Sequence, residues 1–155
     1  MAPLFLAMRE AVLNHIEGLL VTQVEEGEKA LLSLQESLQS EAKSTAGDKH
    51  ETGRAMVQRE MEQAGGRLAR CEAMQAVASR LDLDRARTSV GPGAIVVSGD
   101  AKLLIGVGLG PFEVPGLGRF QAISADAPIA MALSGGKAGE RREFRGRPWV
   151  IESVD

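Results

Sequence analysis

Ala42-Lys-Ser-Thr-Ala-Gly-Asp-Lys-His-Glu-Thr-Gly-Arg54 is the one long break in an otherwise helical first half. Two glycines (Gly47, Gly53), two hydroxyls (Ser44, Thr45) and two carboxylates (Asp48, Glu51) crowd into it. Such a cluster marks a turn between periodic segments. Upstream, Leu20, Val24, Gly27, Leu31, Leu34 and Leu38 recur at alternating intervals of four and three. Downstream, Val57, Met61, Ala64, Leu68, Cys71, Gln75 and Ala78 do the same. That spacing lines residues along one stripe of a helix, the seam of a coiled coil. Two seams joined by a short break predict an antiparallel helical hairpin over residues 1–82, with its tip at 44–54. Helices of about 30 residues would be roughly 45 Å long.

Details of the helical half fit this reading. Pro3 sits where a helix can start. Leu13 and Ile16 extend the first apolar face backwards. Gly27 weakens the first seam and Gly65-Gly66 should loosen the second helix, since each glycine costs about 1 kcal/mol against alanine.

The pattern changes after Leu81, and Gly91-Pro92-Gly93 stops it. Ala94–Ser98 reads as a strand, Gly99-Asp100 as a hairpin turn, and Lys102–Val107 as a second strand. Arg119–Ser124 reads as a third. Ala127–Leu133 reads as a short helix with Asp126 as its cap, Pro128 in its first turn and Gly135-Gly136 at its end. Glu140–Arg145 and Pro148–Val154 make a final hairpin turning at Gly146, with Trp149 and Ile151 anchoring a small core. The expectation is an α+β chain: a helical hairpin, then a mostly antiparallel β domain over 90–155 with one short helix.

Bulk properties bound the function. The 155 residues are 44% hydrophobic, 25% charged and only 3% aromatic, so the cores are aliphatic. Net charge is −3, which excludes a polyanion-binding basic protein as a whole. Residues 1–82 hold nine Lys/Arg against thirteen Asp/Glu, a net of −4; residues 83–155 hold nine against eight, a net of +1. Arg141, Arg142, Arg145 and Arg147 lie close together in that second part, as an acidic-surface contact or as a solvated strand edge. A lone cysteine, Cys71, excludes an intrachain disulfide and reads as a small core residue. The first residues lack the basic start of a signal peptide, and no apolar run approaches the roughly 18 residues of a membrane span. The expectation is a cytoplasmic protein with no membrane partner.

Few residues offer chemistry of their own. Gly106-Val-Gly-Leu-Gly110 precedes Pro111 rather than a helix, so it is a glycine-rich connection and not a dinucleotide loop. Gly136-Lys137 lacks the first glycine and the Ser/Thr of a phosphate loop. His15 and His50 are the only histidines, too few for a zinc site of His and Cys. Asp48 and Glu51 remain. As a capping box, Asp48 would cap the second helix and Glu51 would reach back from its third position. As a functional pair, two carboxylates one turn apart on an exposed tip could hold a hydrated Mg²⁺ through one or two oxygens and complete a site in a partner's cavity.

Two stretches resemble the bacterial Gre-type transcript-cleavage factors. Gly47-Asp48-Lys49-His50-Glu51 is similar to that family's tip motif Gly-Asp-x-x-Glu. Ile123-Ser-Ala-Asp-Ala-Pro-Ile-Ala-Met-Ala-Leu-Ser-Gly-Gly-Lys-Ala-Gly-Glu140 resembles its Ile-Ser-x-x-Ser-Pro-Ile-Ala-x-Ala-Leu-Ile-Gly-Lys-x-x-Gly-Asp stretch, with Ala127 for the usual Ser and an extra small residue before Lys137. The resemblance implies an FKBP-like second domain that docks on RNA polymerase, with Ser124, Asp126, Pro128 and Ile129 at the contact. It implies a hairpin that enters the polymerase's secondary channel. Asp48 and Glu51 would then be the catalytic acids and the ligands of a Mg²⁺ shared with the polymerase, not held by the free protein. Lys49, His50 and Arg54 would lie near nucleic acid, the RNA 3′ end above all. The chain would be a monomer and no enzyme in its own right, a transcription elongation factor completing the polymerase's own nuclease.

One departure matters. The family continues after the Glu with Asn-Ala-Glu-Tyr, where this chain has Thr52-Gly53-Arg54-Ala55. An acid and an aromatic are lost and a cation gained. A relative that occupies the channel without cutting is therefore the alternative. A peptidyl-prolyl isomerase or chaperone is a third reading; such sites are lined by aromatics, and residues 83–155 hold only Phe112, Phe120, Phe144 and Trp149.

Overall fold

The computed structural model describes the backbone of residues 2–43, 47–81 and 85–155, and the side chains of 8–40, 52–81 and 85–155. It is an α+β fold. Two long helices, α1 (Ala2–Lys43) and α2 (Gly47–Arg80), form a hairpin and precede a small β domain. By internal packing the chain divides into residues 18–75 and residues 1–17 with 76–155.

In residues 18–75 the two seams meet. A Cβ added to Gly27 would stand 3.1 Å from Leu68 Cδ1, and Cys71 Sγ lies 3.6 Å from Gln23 Oε1. Position 23 thus faces 71 and position 27 faces 68, so the helices run antiparallel. Carried along both seams, this register sets Leu20 opposite Gln75, Leu31 opposite Ala64, Leu34 opposite Met61 and Leu38 opposite Val57. Burial follows the same stripe: Leu20, Ala64 and Ala78 are buried, the other seam residues are half-buried, and most positions between are exposed. This is the knobs-into-holes period expected from the sequence. Cys71 is half-buried on the seam, where its thiol donates weakly to Gln23.

One feature of the hairpin differs from the expectation. The break is shorter than 44–54, because α2 begins at Gly47 and runs unbroken through Gly53 and Gly65-Gly66.

The other unit is built on a five-stranded sheet in the order β3-β4-β2-β1-β7. Its strands are β1 (Ile95–Ser98), β2 (Ala101–Ile105), β3 (Gly110–Val114), β4 (Gly118–Ile123) and β7 (Ser153–Val154). Between β4 and β7 come α3 (Pro128–Leu133) and a separate two-stranded hairpin, β5 (Arg141–Phe144) with β6 (Arg147–Val150). The sheet is mixed rather than purely antiparallel, because β2 pairs with β4 in parallel, Leu104 opposite Ala122. β3, unforeseen in the sequence, separates them in the chain and pairs antiparallel on β4's far side.

Both faces of this sheet are covered, which is why β1 and β2 read as continuous apolar runs. Val96, Leu103, Ile105 and Ile123 pack with Val90, Ala94, Ala130, Leu133 and Ile151 into one cluster. The opposite face carries Ile95, Leu104, Phe112, Phe120 and Ala122, all buried, and meets the start of α1. There the His15 ring stacks on Phe112 with 6.0 Å between centroids, and Phe112 stacks on Phe120 at 5.6 Å. Arg9, fully buried, donates from Nη1 to the Asp155 carbonyl oxygen at 2.9 Å. The apolar face expected at Leu13 and Ile16 thus packs, with Val12, in the unit that contains the sheet.

The expected last strand is split. β6 ends at Val150, Ile151 turns into the core with its N–H on the Glu140 carbonyl, and β7 then pairs with β1. Trp149 and Ile151 do meet one core, Ile151 fully buried and Trp149 half-buried against it.

Candidate functional site

The register places the hairpin's apex. Opposed positions 27 with 68 and 23 with 71 converge on a turn near residue 47, where α2 starts. Asp48 is therefore the second residue of α2 and Glu51 the fifth, one helical turn apart. This differs from the capping box, which needs them at the cap and third positions. The capping position falls among residues 44–46, outside the described residues. The side chains of Asp48, Lys49, His50 and Glu51 lie outside the described residues.

Just beyond them the departure Thr52-Gly53-Arg54 has a physical outline. Gly53 is half-buried four residues before Val57. Thr52 and Arg54 flank it, both exposed. Arg54 thus stands on α2 three residues past Glu51, within one turn of it.

The second set of expected contact residues gathers at the start of α3. Ser124, half-buried, donates from Oγ to Asp126 Oδ1. Asp126 does not cap the helix: the cap position is Ala127, with no side-chain hydrogen bond, and Pro128 opens the first turn. Asp126 is instead held by Ser124 across a turn closed by the Ala127 N–H on the Ser124 carbonyl at 3.0 Å. Ile129 is only partly available, since it packs on the core cluster. Met131 is 63% exposed and joins Pro128 on the outer side of α3. The sequence signal for Met131 was its place one residue past Ala130 on a helix whose buried stripe is Ala130 and Leu133.

The extra glycine before Lys137 also has a structural reason. Gly135 takes φ +77 and ends α3. Gly136 is buried where an added Cβ would collide with Ile151 Cδ1 and stand 2.9 Å from the Leu133 carbonyl oxygen. Val90 brackets the pair, its N–H on the Gly136 carbonyl at 2.8 Å and its carbonyl taking the Gly135 N–H at 2.9 Å.

Among the described residues of this unit the aromatics do not line a common isomerase-type site. Phe112 and Phe120 are 7% and 1% exposed, closed in by each other and by His15. Phe144 and Trp149 lie apart on the β5–β6 hairpin, under Arg145 and Arg147.

Among the described residues no group of three or more His, Cys, Asp or Glu could hold a metal ion. No helix among them is long and apolar enough to cross a membrane.

No protein-family model matches this chain, and no curated protein matches it. A solved structure titled "Structure of the transcription factor Gfh1" is similar over 89% of this chain and 92% of its own, at 18% identity and a TM-score of 0.36.

Proposed function

We propose that this chain is a Gre-type transcription elongation factor that binds RNA polymerase and stimulates cleavage of backtracked RNA through Asp48 and Glu51. The observation that carries this reading is the hairpin register. It sets the acid pair in the first turns of α2, beside the apex of two helices that join along one narrow seam. From Gly18 to the end of α1 is about 39 Å at 1.5 Å per residue, a reach suited to a deep channel.

The donor set suits Mg²⁺ and falls short of holding it alone. Carboxylate oxygens are the hard donors this ion takes, one or two per site, with the rest from water, phosphate or other groups. Asp48 and Glu51 would be this chain's share, and the polymerase would supply the remainder. Bound there, such an ion polarises a phosphoryl oxygen and lowers the pKa of a water. The chain's own part is placement. Asp48 and Glu51 arrive one turn apart on a helix fixed by its seam, and Arg54 brings a cation within reach of RNA phosphate. Ser124, Asp126, Pro128 and the exposed Met131 form the docking face on the β domain.

Arg54 favours a second reading, a factor that occupies the channel without cutting, because a cation beside two carboxylates weakens the local field that attracts Mg²⁺. Co-sedimentation with polymerase separates this from no binding at all. Binding without faster cleavage establishes the second reading, and no binding removes both.

A further inference from the structure

The β5–β6 hairpin is a short ribbon unlike the rest of the molecule. Residues 141–150 hold four arginines against one glutamate. Arg142 pairs with Glu140 at 3.1 Å. Arg141, Arg145 and Arg147 have no carboxylate partner among the described residues. Arg145 lies over the Phe144 ring at 5.0 Å and Arg147 over the Trp149 ring at 5.6 Å. A guanidinium resting over a ring has less freedom to lose when an oxyanion arrives.

The loop adds a second sign. Arg145 takes φ +53 and Gly146 φ +75, a two-residue turn with both residues left-handed. Asn, Asp or Gly suit the first of those positions, and a long side chain there is held at a cost. A cleft of about 600 Å³ lies between β6 and the β1–β2 turn. Arg147, Pro148 and Trp149 line one side, and Asp100 and Glu152 the other. Glu152 is fixed at the rim by the Gly99 N–H at 3.0 Å. The buried Trp149 Nε1–H has no acceptor among the described residues.

We propose that this hairpin and cleft bind single-stranded nucleic acid, with Arg145 and Arg147 on phosphates and one base in the cleft. Arginine forks match phosphate oxygens. Carboxylates accept from the exocyclic amino groups of bases, as they do from cytosine. An acidic polypeptide would meet Asp100 and Glu152 as like charges, whereas a base is neutral. A duplex keeps its bases stacked and cannot offer one to a cleft. The site needs the free chain alone, so it stands or falls separately from polymerase binding.

The test is fluorescence anisotropy of a labelled short oligocytidylate with the full chain, as a function of salt. Two phosphate contacts give a fall of log K with log salt of slope about −1.4, at roughly 0.7 per contact on a single strand. Arg145→Ala and Arg147→Ala each flatten that slope by about 0.7 and weaken binding several-fold. Arg145→Gly does the same while raising Tm, because it relieves the backbone. Arg147→Lys keeps the slope and loses affinity. Asp100→Asn with Glu152→Gln removes the preference for oligocytidylate over oligothymidylate, which lacks the amino group. Arg119→Ala, outside the hairpin and cleft, changes nothing. The proposal is overturned by absence of binding at low salt, by hairpin variants that bind as the unaltered chain does, or by polyglutamate competing as well as the oligonucleotide.

Discussion

Gly27 of α1 faces Leu68 of α2 so closely that an added Cβ would stand 3.1 Å from Leu68 Cδ1 and 3.5 Å from its Cβ. The glycine that breaks the sequence period is thus the hole into which the leucine knob fits. It costs helix propensity and returns close approach. Gly27→Leu should force Leu68 from the seam and destabilise the hairpin by about 1–3 kcal/mol. Gly27→Ala should be near neutral, since the gained propensity offsets a contact that the flexible end of Leu68 can relieve. Urea denaturation followed by far-UV circular dichroism separates the two. Equal effects would contradict the register.

Gly65 has open space where a Cβ would stand, and Gly66 would make only an ordinary contact with Arg70 Nη1 at 3.6 Å. Nothing in the packing needs either glycine. Gly65→Ala should therefore stabilise α2 by about 0.5–1 kcal/mol, read as a raised urea midpoint with unchanged slope.

Gly136 is the opposite case. It is wedged between the Leu133 carbonyl and Ile151, and both belong to the core that α3 closes. Gly136→Ala should cost about 2–3 kcal/mol as overpacking, while Gly135→Asn, at a position that needs φ near +77, should cost little. Thermal melts of the two variants check the contrast.

Arg9 is fully buried and bonded to the Asp155 carbonyl oxygen. Truncation removes one of the two hydrogen bonds on that buried acceptor, the Ile95 N–H keeping the other, and opens a cavity at the start of α1. Arg9→Ala should destabilise the β unit by about 3 kcal/mol. Hydrogen exchange at Ile95, whose N–H bonds the same Asp155 carbonyl at 2.7 Å, is the sensitive readout.

The helical half was legible because its period is local: each seam residue declares itself by the one four places away. The tip's extent was misjudged because Gly47 and Gly53 act as breakers in isolation, while α2 runs unbroken through Gly53. In the β domain, Ala94–Ser98 and the Gly99-Asp100 turn were readable from apolar runs and a turn pair. β3 was not, because Pro111 and Pro115 flank Phe112 and Val114, and β3 lies at the sheet edge where such prolines are tolerated. The parallel register of Leu104 on Ala122 depends on a crossover that no local pattern encodes. Asp126 had the right residue type for a cap, yet its carboxylate answers to Ser124. Likewise, Asp48 and Glu51 had the spacing of a capping box, but the start of α2 sets them inside the helix.

The central claim is that Asp48 and Glu51 complete a cleavage site in RNA polymerase. The most direct measurement is the rate of transcript shortening in a stalled, backtracked elongation complex with Mg²⁺ and this protein added. The account predicts faster cleavage with the unaltered chain, a loss of at least about tenfold of that stimulation, roughly 1.4 kcal/mol, in Asp48→Ala and in Glu51→Ala, and polymerase binding kept in both. No stimulation by the unaltered chain, or stimulation untouched by either substitution, would contradict it.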